Sequence, residues 1–392
     1  MTNTKRILLL FIAIIFIIVT NSCKSKNDEP LPPEKDKAKE TVLIYMIGTN
    51  NLNSFMETDI NEIFQAASSI DLQKYNILIY EHGTKTGPYI YKITQREGIV
   101  EKKILKTYVN TISSASIERM SSVITDMQVF APAEKYGLIL WSHALGWIKG
   151  NSAQKLKFNN DNISPSWYGD DFGTNMNIDE LASAIPDNLF DFIWMDCCYM
   201  STIEFIYQIR NKCNWFIGYP TEILADGMPY NQTLPYILSE HQDLVGAAEI
   251  TFNYYYSHTT PLYRSCTIVI VDMSEIENLA KSAKKILAYS SGIDTSEIQL
   301  YSRNSAIPFY DFGDYINAIS HQKNLESEYN EFQKTLKSAV VYKAATPKFL
   351  NITIDPQKFS GISIHILKYD KSQQEEYYMN LDWYKNVYLN KE

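Results

Sequence analysis

A chain of 392 residues, 45% of them hydrophobic, can bury one large core or two modest ones, and only five cysteines exclude a disulfide-stapled scaffold. A net charge of −9 with no basic run excludes nucleic acid as a partner, because nothing is present to neutralise phosphates. The same acidity suits pockets that attract basic substrates.

In chain order, Lys5 and Arg6 precede an apolar run from Ile7 to Val19, followed by "TNSC". The run is short for a bilayer span and has the charged start of a secretory signal. Ser22 before Cys23 resembles a bacterial lipobox, with Thr20 where leucine is commoner. This reading makes residues 1–22 a lipoprotein signal peptide and Cys23 the lipidated anchor to a membrane. The protein then belongs to the bacterial cell envelope, at the outer membrane or cell surface. Plain secretion is the alternative. Residues 23–40 are charged and proline-containing, as a solvated tether requires.

From residue 41, near-continuous apolar runs at 41–48, 75–83, 136–143, 190–197 and 214–220 read as strands of a sheet covered on both faces. Helical patterns lie between them at 54–68, 115–129, 178–185 and 201–212. Asn177 with Glu180 three residues on marks the start of the third. The alternation predicts an α/β fold, a doubly wound, mostly parallel sheet flanked by helices, with ligand sites beyond the carboxyl ends of its strands. Beyond about residue 275 the pattern turns helical, including 326–344, with one more strand at 360–367. Residues 41–275 therefore read as the core, and 276–392 as a mostly helical C-terminal subdomain packed on it and returning a strand to it.

Two predicted strands end in reactive groups: "GLILWSH" delivers His143, and "FIWMDCC" delivers Cys197 and Cys198. If the strands are parallel neighbours, both tips share one edge, and an imidazole can manage protons for a thiolate that attacks a carbonyl. A helix beginning near Ser201 would aim its positive end at the thiol and lower its pKa. No cysteine grouping has metal-ligand spacing, although a Cys213–Cys266 disulfide would suit an oxidising envelope.

In family order stand "IYMIGTNNLNSFMETDINEI", "LILWSHALGW" (138–147), "YGDDFGTNMNIDELASAI" (168–185), "DCCYMSTIE" (196–204) and "TEILADGMPY" (221–230). Together they resemble the clostripain family of cysteine peptidases, which share a caspase-like fold with gingipains, legumain and caspases. The resemblance implies an endopeptidase working through a Cys–His dyad. The family pattern D-A-C-x-M lays Asp196 first, Cys197 at the alanine and Cys198 at the nucleophile. Alternation along a strand agrees, since it sends adjacent residues to opposite faces. His143 matches the family histidine. His82, before Gly83, is a rival that lies two strands too early.

The residue after the histidine is glycine in the family and Ala144 here. An alanine keeps the N–H, so Ala144 and Cys198 would supply the backbone oxyanion donors. Its methyl group would interfere if the position needs positive φ, and the alternative function is therefore a weakened pseudopeptidase serving as a binding or scaffold lipoprotein. The resemblance further implies cleavage of protein or peptide substrates after Arg or Lys, with Asp196 and Asp226 at the floor of the primary pocket. It also implies self-cleavage in the polar segment 149–161, where Lys149, Lys155 and Lys157 stand. No cofactor or metal site is expected. Relatives use calcium, but no calcium-loop motif stands here, and Asp170 and Asp171 read as holding backbone.

Overall fold

The computed structural model describes residues 37–150, 168–303, 308–368 and 372–389. Cys23 and the signal and tether segments before residue 37 lie outside the described residues, as do Lys155 and Lys157. Among the described residues no helix is long and apolar enough to cross a membrane.

The described residues from Ala38 onward form one compact unit. In chain order its first half runs β1 (Ala38–Gly48), α1 (Asn53–Ala67), β2 (Tyr75–Gly83), β3 (Tyr89–Arg96), β4 (Ile99–Thr107), α2 (Ile117–Phe130) and β5 (Ala133–Trp141). A small hairpin, β6 (Tyr168–Asp171) and β7 (Thr174–Met176), leads to α3 (Ile178–Ala184), β8 (Phe190–Asp196), α4 (Ile203–Gln208) and β9 (Cys213–Gly218). Then come α5 (Tyr230–Ile237), α6 (Leu244–Tyr256), β10 (Thr267–Asp272) and α7 (Ile276–Leu287). The chain continues with β11 (Tyr310–Asp311), α8 (Phe312–Lys323), α9 (Glu326–Ala339) and β12 (Val340–Ala345).

Among the described residues nine strands make the main sheet, in the order β12-β10-β9-β8-β5-β1-β2-β3-β4. The central β9-β8-β5-β1-β2 are parallel, and antiparallel strands finish both edges. This is the mostly parallel, helix-flanked α/β sheet expected from the alternation of apolar runs. Its five central strands are the five read from sequence. Their side chains divide by parity into two buried layers: Leu138, Leu140, Met195 and Cys197 face one, and Ile139, Trp141, Phe192 and Trp194 face the other. The chain leaves β1 in one direction for β2 and later returns on its other side as β5, so the sheet's switch point lies between β1 and β5. Clefts open at the carboxyl ends beside such a point.

The edges depart from the reading. β3 and β4 were not expected: β4 is largely exposed and lacks the apolar run of a covered strand. Residues 340–345, read as the end of a helix, form β12 against β10, since the β-branched Val340 and Val341 suit an edge strand. The strand expected at 360–367 shrinks to Ser363–Ile364 and pairs with β11 in a separate two-stranded sheet. The helix expected over 201–212 is only six residues long, capped by the Thr202 hydroxyl, which accepts from Phe205 N. Cys213 and Cys266 are buried free thiols, so no disulfide joins them.

Candidate active site

β5 and β8 are register neighbours, with Trp141 opposite Asp196, so the residues just past their tips emerge side by side. His143 follows one tip and Cys198 the other. Both line a cleft of about 320 Å³ together with Trp141, Asp196, Glu222 and Arg303. His82 does not line it. Its ring is buried elsewhere, with Nδ1 2.6 Å from Ser114 Oγ and 3.2 Å from Asp171 Oδ1.

The two cysteines take different environments. Cys197 is buried in one core layer, and its thiol donates to the Leu140 carbonyl (3.0 Å). Cys198 is half-buried, its sulfur 3.7 Å from the Ile223 carbonyl. The chain then turns sharply: Tyr199 adopts φ 58°, a left-handed conformation rare for a bulky residue, held by Tyr199 N donating to Thr221 O (2.8 Å). Burial, and next the Glu222 carboxylate, push the Cys198 thiol up to about 12. The expected lowering by a helix N-terminus is not found, because α4 is short and begins five residues later.

His143 Nε2 lies 2.7 Å from Asn51 Oδ1. Burial lowers the imidazole pKa, and the Asp170 carboxylate works in the opposite direction. The Asn-rich turn after β1 is fixed by the hairpin: Asn50 Nδ2 donates to Asp170 O (2.8 Å), and Thr49 Oγ1 to Asp171 Oδ1 (2.8 Å). Asp171 Oδ2 also accepts from Ser113 and Ser114, and Asp170 Oδ1 from Gly173 N. These acids therefore hold backbone, and no group of three metal-ligating side chains occurs among the described residues.

Ala144 is buried and is not among the residues with positive φ, so its methyl group strains no backbone. The left-handed position falls two residues on, at Gly146 (φ 58°). Gly169 N donates to the His143 carbonyl (2.9 Å), which ties the backbone just before Ala144 to the hairpin.

Beneath the cleft Asp196 is 4% exposed. Its Oδ2 accepts from Tyr230 OH (2.9 Å) and Met228 N (3.2 Å), whereas Oδ1 is buried with no hydrogen-bond partner. Burial raises this carboxyl to about 6. Asp226 is exposed, and its neighbours Ala225 and Gly227 line the cleft in its place. The structure thus brings His143, Cys198 and Asp196 to one crevice and leaves the Asp226 side chain outside its lining.

Sequence reasoning missed Asn51, Glu222 and Arg303. Asn51 stood within a quoted motif, while Arg303 comes from a segment with no motif at all. Arg303 forks onto Glu222 with two 2.8 Å bonds at the cleft wall.

The family model for clostripain matches residues 44–391. The chain belongs to the clostripain family. Among solved structures, an inactive zymogen C11 protease from Parabacteroides distasonis is 30% identical, with a TM-score of 0.78 over 91% of this chain and 99% of that one. A secreted C11 cysteine protease from Bacteroides thetaiotaomicron, solved with an irreversible peptide inhibitor, is 27% identical, with a TM-score of 0.77 over 90% and 99%. A further secreted C11 protease from B. thetaiotaomicron, iotapain, is 25% identical, with a TM-score of 0.76. No curated protein matches significantly. As a clostripain-family member with the caspase-like fold of these proteases, the protein is a cysteine peptidase, a hydrolase acting on peptide or protein substrates.

Proposed function

We propose that this clostripain-family enzyme is an endopeptidase that cleaves after Arg or Lys, with Cys198 as nucleophile and His143 as its proton carrier. Lipidated Cys23 would attach it to the bacterial envelope. The observation that carries the specificity is Asp196 Oδ1: a buried carboxylate oxygen with no partner, at the floor of the cleft that holds Cys198 and His143. An unpaired buried charge is costly, and a guanidinium or ammonium entering the cleft would relieve it.

The chemistry follows from the protonation states. With the thiol neutral at rest, its proton must leave as the sulfur attacks, so His143, neutral itself, takes it while Sγ bonds to the substrate carbonyl carbon. Backbone N–H groups of Ala144 and Cys198 would hold the oxyanion. The tetrahedral intermediate collapses as His143 returns the proton to the departing amine. Water, deprotonated by His143, then hydrolyses the thioester and regenerates the thiol.

The test is covalent labelling with acyloxymethyl ketones carrying Arg, Lys or an apolar residue next to the warhead. Arg and Lys reagents should label Cys198 selectively, and Asp196→Asn should erase the preference while sparing the apolar reagent. Equal labelling by all three reagents, or labelling that persists in Cys198→Ala and vanishes in Cys197→Ala, overturns the assignment. For the anchor, radiolabelled palmitate should follow the wild-type protein and be lost in Cys23→Ala.

A further inference from the structure

Behind the cleft floor lies a second buried acid that neither the motifs nor the reaction account for. Asp59, on α1, is 2% exposed. Its Oδ2 accepts from the Trp141 indole N–H (2.7 Å). Trp141 is the register partner of Asp196 on the adjacent parallel strand, so the two side chains share a sheet face. Trp141 and Asp196 both line the cleft. One indole therefore separates Asp59 from the carboxylate whose Oδ1 is buried and unpartnered.

We propose that Asp59 is a further specificity-determining residue of this pocket, one that keeps its proton while the pocket is empty and releases it when a substrate's cationic side chain enters. The inference rests on the basic-residue specificity proposed above and adds a second carboxyl to it. The geometry makes the case, through the Trp141 indole that touches Asp59 and stands in register with Asp196. The titratable groups whose charges reach Asp59 are Glu62 from its own helix, Asp196 from β8 and, from the loop after β9, the exposed Asp226, with Tyr230 and Tyr254 also within electrostatic range. The strongest charges acting on it are all negative.

Burial first, and then the Asp196 charge, raise the Asp59 carboxyl to about 9, whereas Asp196 stands near 6. At neutral pH Asp196 at the floor thus carries a charge, and Asp59 behind the Trp141 indole keeps its proton. A cation held at Asp196 inverts the local field: it stabilises the ionised form of both acids, and the proton on Asp59 leaves to solvent. A purely structural acceptor for the Trp141 indole would need no ionisable group. An asparagine would serve, and this is the basis of the test.

Agmatine, a dication that presents a guanidinium at one end and an ammonium at the other and has no bond to cleave, is titrated into the full-length protein at pH 7 by calorimetry in phosphate and in Tris. Their different heats of ionisation report the protons exchanged. Wild-type protein should release about one proton per agmatine bound, since Asp196 is already mostly ionised. Asp59→Asn keeps an acceptor for the indole. It should release almost none and bind about tenfold more weakly, the loss expected for one interaction with a charged group. Wild-type affinity should climb between pH 7 and 9, where that of the variant stays level. Binding to wild-type protein without proton release overturns the inference on a measurement that needs no variant to fold. Binding lost in Asp196→Asn but unchanged in Asp59→Asn, with the same proton count, removes Asp59 alone and leaves the basic specificity standing. Agmatine that fails to bind the wild-type protein removes both.

Discussion

The resting state of Cys198, the proposed nucleophile, can be tested by removing the charge of Glu222 beside it. Glu222 and Arg303 lie along the cleft wall as a doubly bonded pair, with Glu222 raising the thiol pKa and Arg303 lowering it by less. Glu222→Gln keeps the shape and leaves the guanidinium unopposed. A unit charge about 6 Å from a thiolate, screened by an effective dielectric of about 40, is worth roughly 1.4 kcal/mol, or about one pKa unit. The thiol should therefore fall from about 12 towards 11, with burial still the dominant cause. At pH 8 the thiolate fraction would rise about tenfold, while intrinsic nucleophilicity would drop about threefold, leaving roughly a threefold gain. The assay is the rate of iodoacetamide alkylation mapped to the Cys198 peptide across pH 7 to 11. In both proteins that rate should climb without a plateau below pH 10. A plateau near neutrality would refute the neutral resting thiol, and an unchanged or slower rate in Glu222→Gln would refute the role given to the ion pair.

Two more substitutions probe the walls of the site. Asn51→Ala deletes the partner of His143 Nε2 and should lower kcat about three- to tenfold in steady-state assays on an Arg substrate, with KM little changed. Gly227 adopts φ 59°, and a methyl group there would sit 3.0 Å from Asp196 Oδ2. Gly227→Ala should therefore cost roughly 1 kcal/mol in thermal unfolding and at least about tenfold in kcat/KM for basic substrates, with a smaller loss for apolar ones.

The parts of the site legible in the sequence are those fixed by strand periodicity. Apolar runs marked the five central strands, and their ends marked where His143 and Cys198 emerge. Alternation also separated Cys197, now packed in the core, from its neighbour. Residues placed by tertiary contact were not legible. Asp226 looked equivalent to Asp196 in its motif, but a turn closed by Gly227 N donating to Leu224 O leaves its side chain exposed. Asp59 left a faint signal: it occupies the buried stripe of α1 with Met56, Ile63 and Ala67, a place where an acid is unusual. The thiol's electrostatics were misjudged because the length of α4 is set by packing and capping, which residue pattern alone did not resolve.

The C-terminal third is tied to the turn that follows Cys198, the proposed nucleophile, by several hydrogen bonds. Ser363 N donates to Ser201 O (2.8 Å), and Ser201 Oγ donates to Gly361 O (2.8 Å), three residues past Cys198. His365 N donates to the buried Glu204, and Phe309 stacks on Tyr199 with ring centroids 4.7 Å apart. Arg303 reaches Glu222 from the same third of the chain. The left-handed turn at Tyr199 is unfavourable on its own and persists because these contacts over-determine it. The turn that carries Cys198 and the wall beside it are therefore built in part by Arg303, Phe309 and residues 361–365, and in the mechanism proposed above the neutral thiol held there is what makes His143 necessary as a base. The strand-end motif supplies the sulfur, and segments distant in sequence set its chemistry.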